Sequence, residues 1–179
     1  MKGIVFTEFL AFVADFWGED MVDDIIEASA VPSRGAYTSV GTYPHQEMVS
    51  LLRALSDRSK LSADNVMQRF GFHLADRFSL LFPTFFSRSE SFFVFLASID
   101  DYIHVEVKKL YPDAELPSFE VVQTDGSVMT MRYHSSRKME AFAEGLILGF
   151  ARHFGRKIIV ETMDDGNGAT LFVITEMHS

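Results

Sequence analysis

The sequence predicts an α+β fold: a helical N-terminal subdomain packed on a C-terminal subdomain that combines helices with a four-stranded antiparallel sheet. Three observations carry this. In separate segments between Ile4 and Tyr111 apolar residues recur at three- and four-residue steps, the period of helices with one buried face. After Pro117 the period falls to two, as in half-buried strands. Two short polar segments, Asp125-Gly126 and the run from Asp164 to Gly168, separate stretches rich in β-branched residues, which is the pattern of hairpins. A chain of 179 residues suits one domain made of two closely packed lobes, about 1–60 and about 61–179.

The first helix is expected over Ile4–Trp17, with Val5, Phe9, Phe12, Val13 and Phe16 on a broad aromatic face and Gly18 as its stop. Met21–Ala30 reads as a second helix whose early acidic residues suit the positive end of the helix dipole. Pro32–Gly41 has two glycines and no period, so it is a loop. A third helix starts between Thr42 and Pro44 and runs to about Ser56. Ser62 can cap a fourth, which carries Val66, Phe70, Leu74, Phe78 and Leu81 on one stripe and ends at Pro83. Gly71 inside it marks a close approach or a small bend.

The fifth helix, Phe92–Tyr111, is expected to run unbroken for about five turns. Its buried stripe is Phe92, Leu96, Ile99, Ile103, Val107 and Leu110; Ser87-Arg-Ser-Glu90 has capping-box spacing at its start and Pro112 stops it. His104 lies near its end, at i+4 from Asp100 and one turn before Lys108. Phe119–Thr124 and Ser127–Tyr133 then flank Asp125-Gly126, a two-residue turn that needs positive φ. Met139–Phe154 is a helix with Phe142, Leu146, Ile147 and Phe150 on one side and Gly155 as its stop. Lys157–Met163 and Thr170–Glu176 form the second hairpin.

Composition narrows the function. At 47% hydrophobic, with eighteen Phe, the chain either has a very aromatic core or wraps something large and flat. A net charge of −9 argues against nucleic acid or an anionic membrane as the main partner. The absence of cysteine excludes disulfides and thiolate metal or redox sites. Glu8 and Asp15 interrupt the apolar N-terminus, so it is neither a secretory signal nor a membrane span, and a cytoplasmic protein is expected.

Tyr133-His134-Ser135-Ser136-Arg137 joins a strand to a helix. In an extended segment Tyr133, Ser135 and Arg137 share one side, and two hydroxyls with a guanidinium fork make a receptor for carboxylates. The plainer reading is a helix N-terminus with Ser135 as cap and Arg137 in solvent. With His104 about thirty residues upstream, Pro117, the opening Met1-Lys2-Gly3 and a following Lys138-Met139, the sequence resembles the H-NOX family along its whole length. These are haem nitric oxide/oxygen-binding domains, similar to the haem domain of soluble guanylate cyclase, and this chain resembles the stand-alone bacterial type.

The resemblance implies the H-NOX fold as a single domain, with haem b (iron protoporphyrin IX) between the two subdomains. It makes His104 the proximal ligand of the iron and gives Tyr133, Ser135 and Arg137 the haem propionates. Pro117 matches the family's proline that presses on the porphyrin and distorts it. Neutral imidazole is a common axial ligand, and a single one leaves the sixth position open. Asp100 or a backbone carbonyl would orient the other nitrogen of His104.

The same alignment lines the distal pocket with Val5, Phe9, Leu74, Phe78, Phe142 and Leu146, each of which also reads as ordinary core. Family members that hold oxygen carry a distal tyrosine where this chain has Phe142, supported by a polar residue where it has Leu74. A buried donor to polarised dioxygen is worth roughly 1.5–3 kcal/mol, or about ten- to a hundredfold in affinity. Nitric oxide needs no such help. The expected function is therefore a sensor of nitric oxide, with carbon monoxide bound more weakly and oxygen excluded. A one-residue shift of register would instead bring in His73 as a donor. The resemblance further implies that nitric oxide breaks the bond between iron and His104, freeing its helix. The signal would then pass to a protein in trans, such as a histidine kinase of a two-component system or a cyclic-di-GMP enzyme.

Two other classes are weighed. A haem peroxidase or oxygenase needs a distal acid–base group, which the expected pocket lacks, so no enzyme is expected. An interaction module without haem would treat the Phe-rich interior as plain core. The remaining histidines have simple readings: His45 exposed at a helix start, His134 turned away from the motif, His153 near a helix C-terminus and His178 in the tail. The Asp164–Gly168 segment resembles a calcium loop only superficially, lacking its length and later Glu, and reads as a hairpin turn.

Overall fold

The computed structural model describes residues 1–177, so His178 lies outside the described residues. The chain forms two compact units, Met1–Phe70 and from Gly71 onward, and the fold is α+β with an antiparallel sheet.

The first unit holds helices α1 (Gly3–Trp17), α2 (Glu19–Ser29) and α3 (His45–Ser59) and the first half of α4 (Ala63–Leu81). Phe6, Phe9, Phe12 and Val13 of α1 are buried with Ile25, Leu51, Leu55, Val66 and Phe70. Phe70 meets Phe9 edge-on at 5.1 Å and Phe12 at 5.6 Å. Fully burying each such ring contributes about 1.5–3 kcal/mol. Phe16, expected on the same face, is instead 61% exposed in the last turn of α1. His45, expected to be exposed, is half-buried as the first residue of α3. The loop between α2 and α3 is tied down by the buried Glu47, which accepts from Ser33 Oγ and, at 2.9 Å, from Tyr37 Oη. Burial, with the Glu47 carboxylate adding to it, pushes the Tyr37 phenol up to about 12.

Ser62 Oγ accepts the Asn65 N–H at 3.2 Å and starts α4 as expected. Pro83 does more than end that helix: it is the first residue of a short helix α5 (Pro83–Ser87), where its missing N–H would have had no partner anyway. Ser87 is thereby used up, so the expected capping box at Ser87–Glu90 does not form. Ser91 caps α6 (Phe92–Ser98) instead, accepting the Val94 N–H at 3.4 Å.

The long helix expected over Phe92–Tyr111 is broken by a π-turn. α6 passes into Ile99–Ile103, and α7 (His104–Leu110) follows. The His104 N–H bonds to the Ile99 carbonyl, five residues back. Phe92, Leu96 and Ile99 are buried as predicted, but Val107 is half-buried and Leu110 is 61% exposed. A π-turn inserts extra chain into the helix and rotates everything after it, so a stripe counted at 3.6 residues loses register there.

Strands β1 (Ser118–Asp125), β2 (Val128–His134), β3 (Ile158–Asp164) and β4 (Thr170–Glu176) form one antiparallel sheet in the order β1-β2-β4-β3. Asp125 pairs with Val128, so the first turn is Gly126-Ser127, one residue later than expected, with Gly126 at φ +56°. Met129, Met131 and Tyr133 of β2 and Phe172 and Ile174 of β4 face inward. They pack with Phe95 and Leu96 of α6 and with Ala143, Ile147 and Phe150 of α8 (Glu140–His153) into one core. The Asp164–Gly168 segment is a turn that satisfies itself: Asp165 Oδ1 accepts the N–H groups of Asn167 at 2.8 Å and Ala169 at 3.2 Å.

Gly71 marks a close approach rather than a bend. A Cβ there would fall 2.3 Å from the Phe142 carbonyl oxygen on α8. Gly149 repeats the device, its notional Cβ lying 2.5 Å from Ala75 Cβ. Backbone, not a flexible side chain, blocks the first position. Gly71→Ala is therefore expected to destabilise the fold by about 1–3 kcal/mol and lower Tm by about 2–12 °C, measured by thermal unfolding.

Candidate functional site

His104 opens α7 directly after the π-turn, and its side chain is 16% exposed. Its Nδ1 lies 2.8 Å from Asp100 Oδ1, a buried oxygen that makes no hydrogen bond of regular geometry. Burial lowers the pKa of the imidazole, and Asp100 acts the other way. An acceptor at Nδ1 fixes the proton there and leaves Nε2 with its lone pair. Nε2 makes no hydrogen bond to the described residues. A half-buried imidazole with a carboxylate beside one nitrogen and the other nitrogen open is an arrangement suited to a metal ligand.

The sheet brings the Tyr-x-Ser-x-Arg motif next to this histidine. Phe119 of β1 lies between them, its ring centroid 6.2 Å from that of His104 and 5.0 Å from that of Tyr133. Tyr133 is 3% exposed on β2, and burial pushes its phenol up, while hydrogen bonds to Ser135 and the Met139 backbone act the other way. The motif is not extended throughout, as the sequence reading had it. β2 ends at His134 and the chain then turns, with Ser135 Oγ accepting the Arg137 N–H at 3.2 Å and Lys138 at φ +48°. A serine hydroxyl competes well for a nearby backbone N–H, which converts strand to turn. Nor is Ser135 the cap of α8, whose first residue is Glu140.

Arg137 is 13% exposed. It donates from Nη1 to the Glu115 carbonyl at 2.8 Å and from Nη2 to Glu115 Oε2 at 2.7 Å. Its Nε is buried without a partner. A buried guanidinium N–H lacking an acceptor is costly, and beside the hydroxyls of Tyr133 and Ser135 it makes a set of donors fitted to an acidic group. Glu115 is 80% exposed, so its ion pair with Arg137 is a weak one that another carboxylate can replace. Pro117 is half-buried, two residues before Phe119, in the segment joining α7 to β1.

The six apolar distal positions divide between the units. In the second, Leu74 is fully buried, and Phe78, Phe142 and Leu146 are half-buried where α4 and α8 meet at Gly71. None of the four has a polar side chain. In the first, Phe9 is fully buried against Phe12 and Phe70, and Val5 is half-buried. His73 is half-buried with its Nε2 covered. It points about 100° around the helix from Leu74, as neighbours on an α-helix do. The sequence reading left the partner of His104 open; the structure places Asp100 Oδ1 2.8 Å from its Nδ1, and the i,i+4 spacing was the available signal. It did not anticipate Glu115 or Phe119, which reach the site across the sheet and the loop.

A profile of the haem-NO-binding family matches residues 2–162. No match was found among curated protein sequences. Among solved structures, the Fe(II) unliganded H-NOX protein of K. algicida is 40% identical, with a TM-score of 0.91 over 100% of this chain and 98% of that one. The H-NOX protein of S. oneidensis in the Fe(II)NO ligation state is 26% identical, with a TM-score of 0.92 over 99% of this chain and 100% of that one. The IWP-051-bound H-NOX of Shewanella woodyi in the Fe(II)CO ligation state is 34% identical, with a TM-score of 0.85 over 99% and 95%. With a family profile matched almost from end to end and a relative 40% identical over the full chain, the protein belongs to the haem-NO-binding, or H-NOX, family of haem-binding gas-sensor domains.

Proposed function

We propose that this chain is a haem b sensor that binds nitric oxide, and carbon monoxide more weakly, excludes oxygen, and passes the signal to a separate protein. The observation that carries the reading is the His104–Asp100 pair: a half-buried imidazole with Nδ1 2.8 Å from the carboxylate and Nε2 open. Haem would supply a ferrous iron able to take a ligand from the protein and to bind a diatomic gas. His104 gives Nε2 to the iron. Tyr133, Ser135 and Arg137 bind the propionates, the unpartnered Arg137 Nε providing a donor already buried for the purpose. Pro117 presses on the porphyrin face, as in the family the chain resembles.

Leu74, Phe78, Phe142 and Leu146 offer a bound gas no hydrogen-bond donor. Oxygen thereby forgoes about 1.5–3 kcal/mol that a donor would contribute, whereas nitric oxide does not depend on one. The same four positions carry no acid–base group to cleave an O–O bond, which favours a sensor over a haem enzyme. His104 would tie the bound haem to α7, so that loss of this tie on nitric oxide binding would shift α7 between two packings, the gas supplying the bias. The partner is a signalling protein of the histidine kinase or cyclic-di-GMP class, met in the cytoplasm. Among the described residues no helix is long and apolar enough to cross a membrane.

Arg137→Ala tests the cradle. It is expected to speed haem transfer to a scavenging apoprotein by about ten- to a hundredfold, the worth of a buried charge-assisted bond. An unchanged transfer rate would count against the propionate assignment.

A further inference from the structure

We propose that Asp100 is a positioning residue with two ends, holding the imidazole of His104 with one carboxylate oxygen and the start of β1 with the other, so that ligand orientation and strand position are set by one side chain. The proposal rests on His104 being the iron ligand. Asp100 Oδ1 lies 2.8 Å from His104 Nδ1, and Oδ2 accepts the Phe119 backbone N–H at 2.8 Å. Asp100 sits in the π-turn, where the helix is already widened, and Phe119 is the second residue of β1 and two residues past Pro117. Phe119 also packs on Tyr133 at 5.0 Å. The chain of contacts therefore runs from imidazole to carboxylate to strand backbone to the carboxylate-binding motif.

A carboxylate is rigid and planar. If His104 turns or withdraws, Asp100 cannot follow it and keep both the imidazole contact and the Phe119 hydrogen bond. Either the Phe119 contact moves with the imidazole or one of the two is lost. The ionised oxygen at Nδ1 also has an electronic effect, making Nε2 a stronger donor to a metal.

The two ends can be separated. In Asp100→Asn the amide oxygen can keep the Phe119 N–H, but the amide NH2 then faces the Nδ1–H, donor against donor. Asp100→Ala loses both contacts. The holoprotein in its ferrous state is compared for wild type and both variants by resonance Raman spectroscopy and by amide hydrogen exchange at Phe119. The iron–histidine stretching frequency is expected to fall in both variants, and haem loss to speed by about ten- to a hundredfold, typical when an outer-shell partner of a metal ligand is removed. Exchange at Phe119 is expected to rise about tenfold or more in Asp100→Ala and to stay near wild type in Asp100→Asn. An unchanged stretching frequency in both variants overturns the proposal, as does an unchanged Phe119 exchange rate in Asp100→Ala. Should Asp100→Ala fail to fold, the frequency in Asp100→Asn decides alone. A wild-type protein with no iron–histidine band would overturn the ligand reading first, and this proposal with it.

Discussion

His104→Ala is expected to yield protein that folds but holds haem far more weakly than wild type. The residue opens α7 and is not part of the core cluster formed by α6, the sheet and α8, so its loss removes a ligand rather than a side chain of that core. Removing only the outer-shell partner of a metal ligand costs about ten- to a hundredfold in affinity, and removing the ligand itself is expected to exceed that. Haem content after purification, measured against thermal unfolding of the same sample, separates loss of ligand from loss of fold. His104→Gly with added imidazole extends the test. Free imidazole is expected to restore haem and gas binding while the link to α7 is gone, so the partner's response to nitric oxide disappears. Normal regulation by that variant would contradict the proposed mechanism.

Phe142→Tyr is expected to give the ferrous protein a stable oxygenated form that the wild type lacks. Phe142 is half-buried on α8, where its carbonyl oxygen lies against Gly71, and the substitution keeps the ring and adds one hydroxyl. A donor bond to polarised oxygen is worth about 1.5–3 kcal/mol, so oxygen affinity should rise by about ten- to a hundredfold. Affinity for nitric oxide should change little, since it does not depend on that bond. Oxygen titration of wild type beside the variant reads the difference. Equal oxygen affinities would show that position 142 does not face the bound gas.

Much of the site was legible because its signals are local. Asp100 and His104 lie one helical turn apart, and the two ends of Tyr133–Arg137 are four residues apart. Gly71 was legible for an energetic reason: glycine inside a helix costs about 0.5–1 kcal/mol relative to alanine, so its presence calls for a close neighbour, which α8 supplies. The π-turn was not legible. No glycine or proline interrupts Phe92–Tyr111, and the apolar stripe reads through it without a fault. The bond that the Phe119 N–H donates to Asp100 in that turn joins residues nineteen apart, and it too has no local signal. The same holds for Arg137 and Glu115, twenty-two residues apart. The helix cap at Ser91 was misplaced because three serines lie within five residues, and only the short helix α5 decides which of them is left to act.

The most direct test of the whole account is an absorption series on the purified ferrous protein, first alone and then with oxygen, carbon monoxide and nitric oxide. The account predicts a haem spectrum that carbon monoxide and nitric oxide each shift and that air leaves without a persistent oxygenated form. A colourless protein that takes up no haem, or a ferrous protein that holds oxygen stably in air, would contradict it.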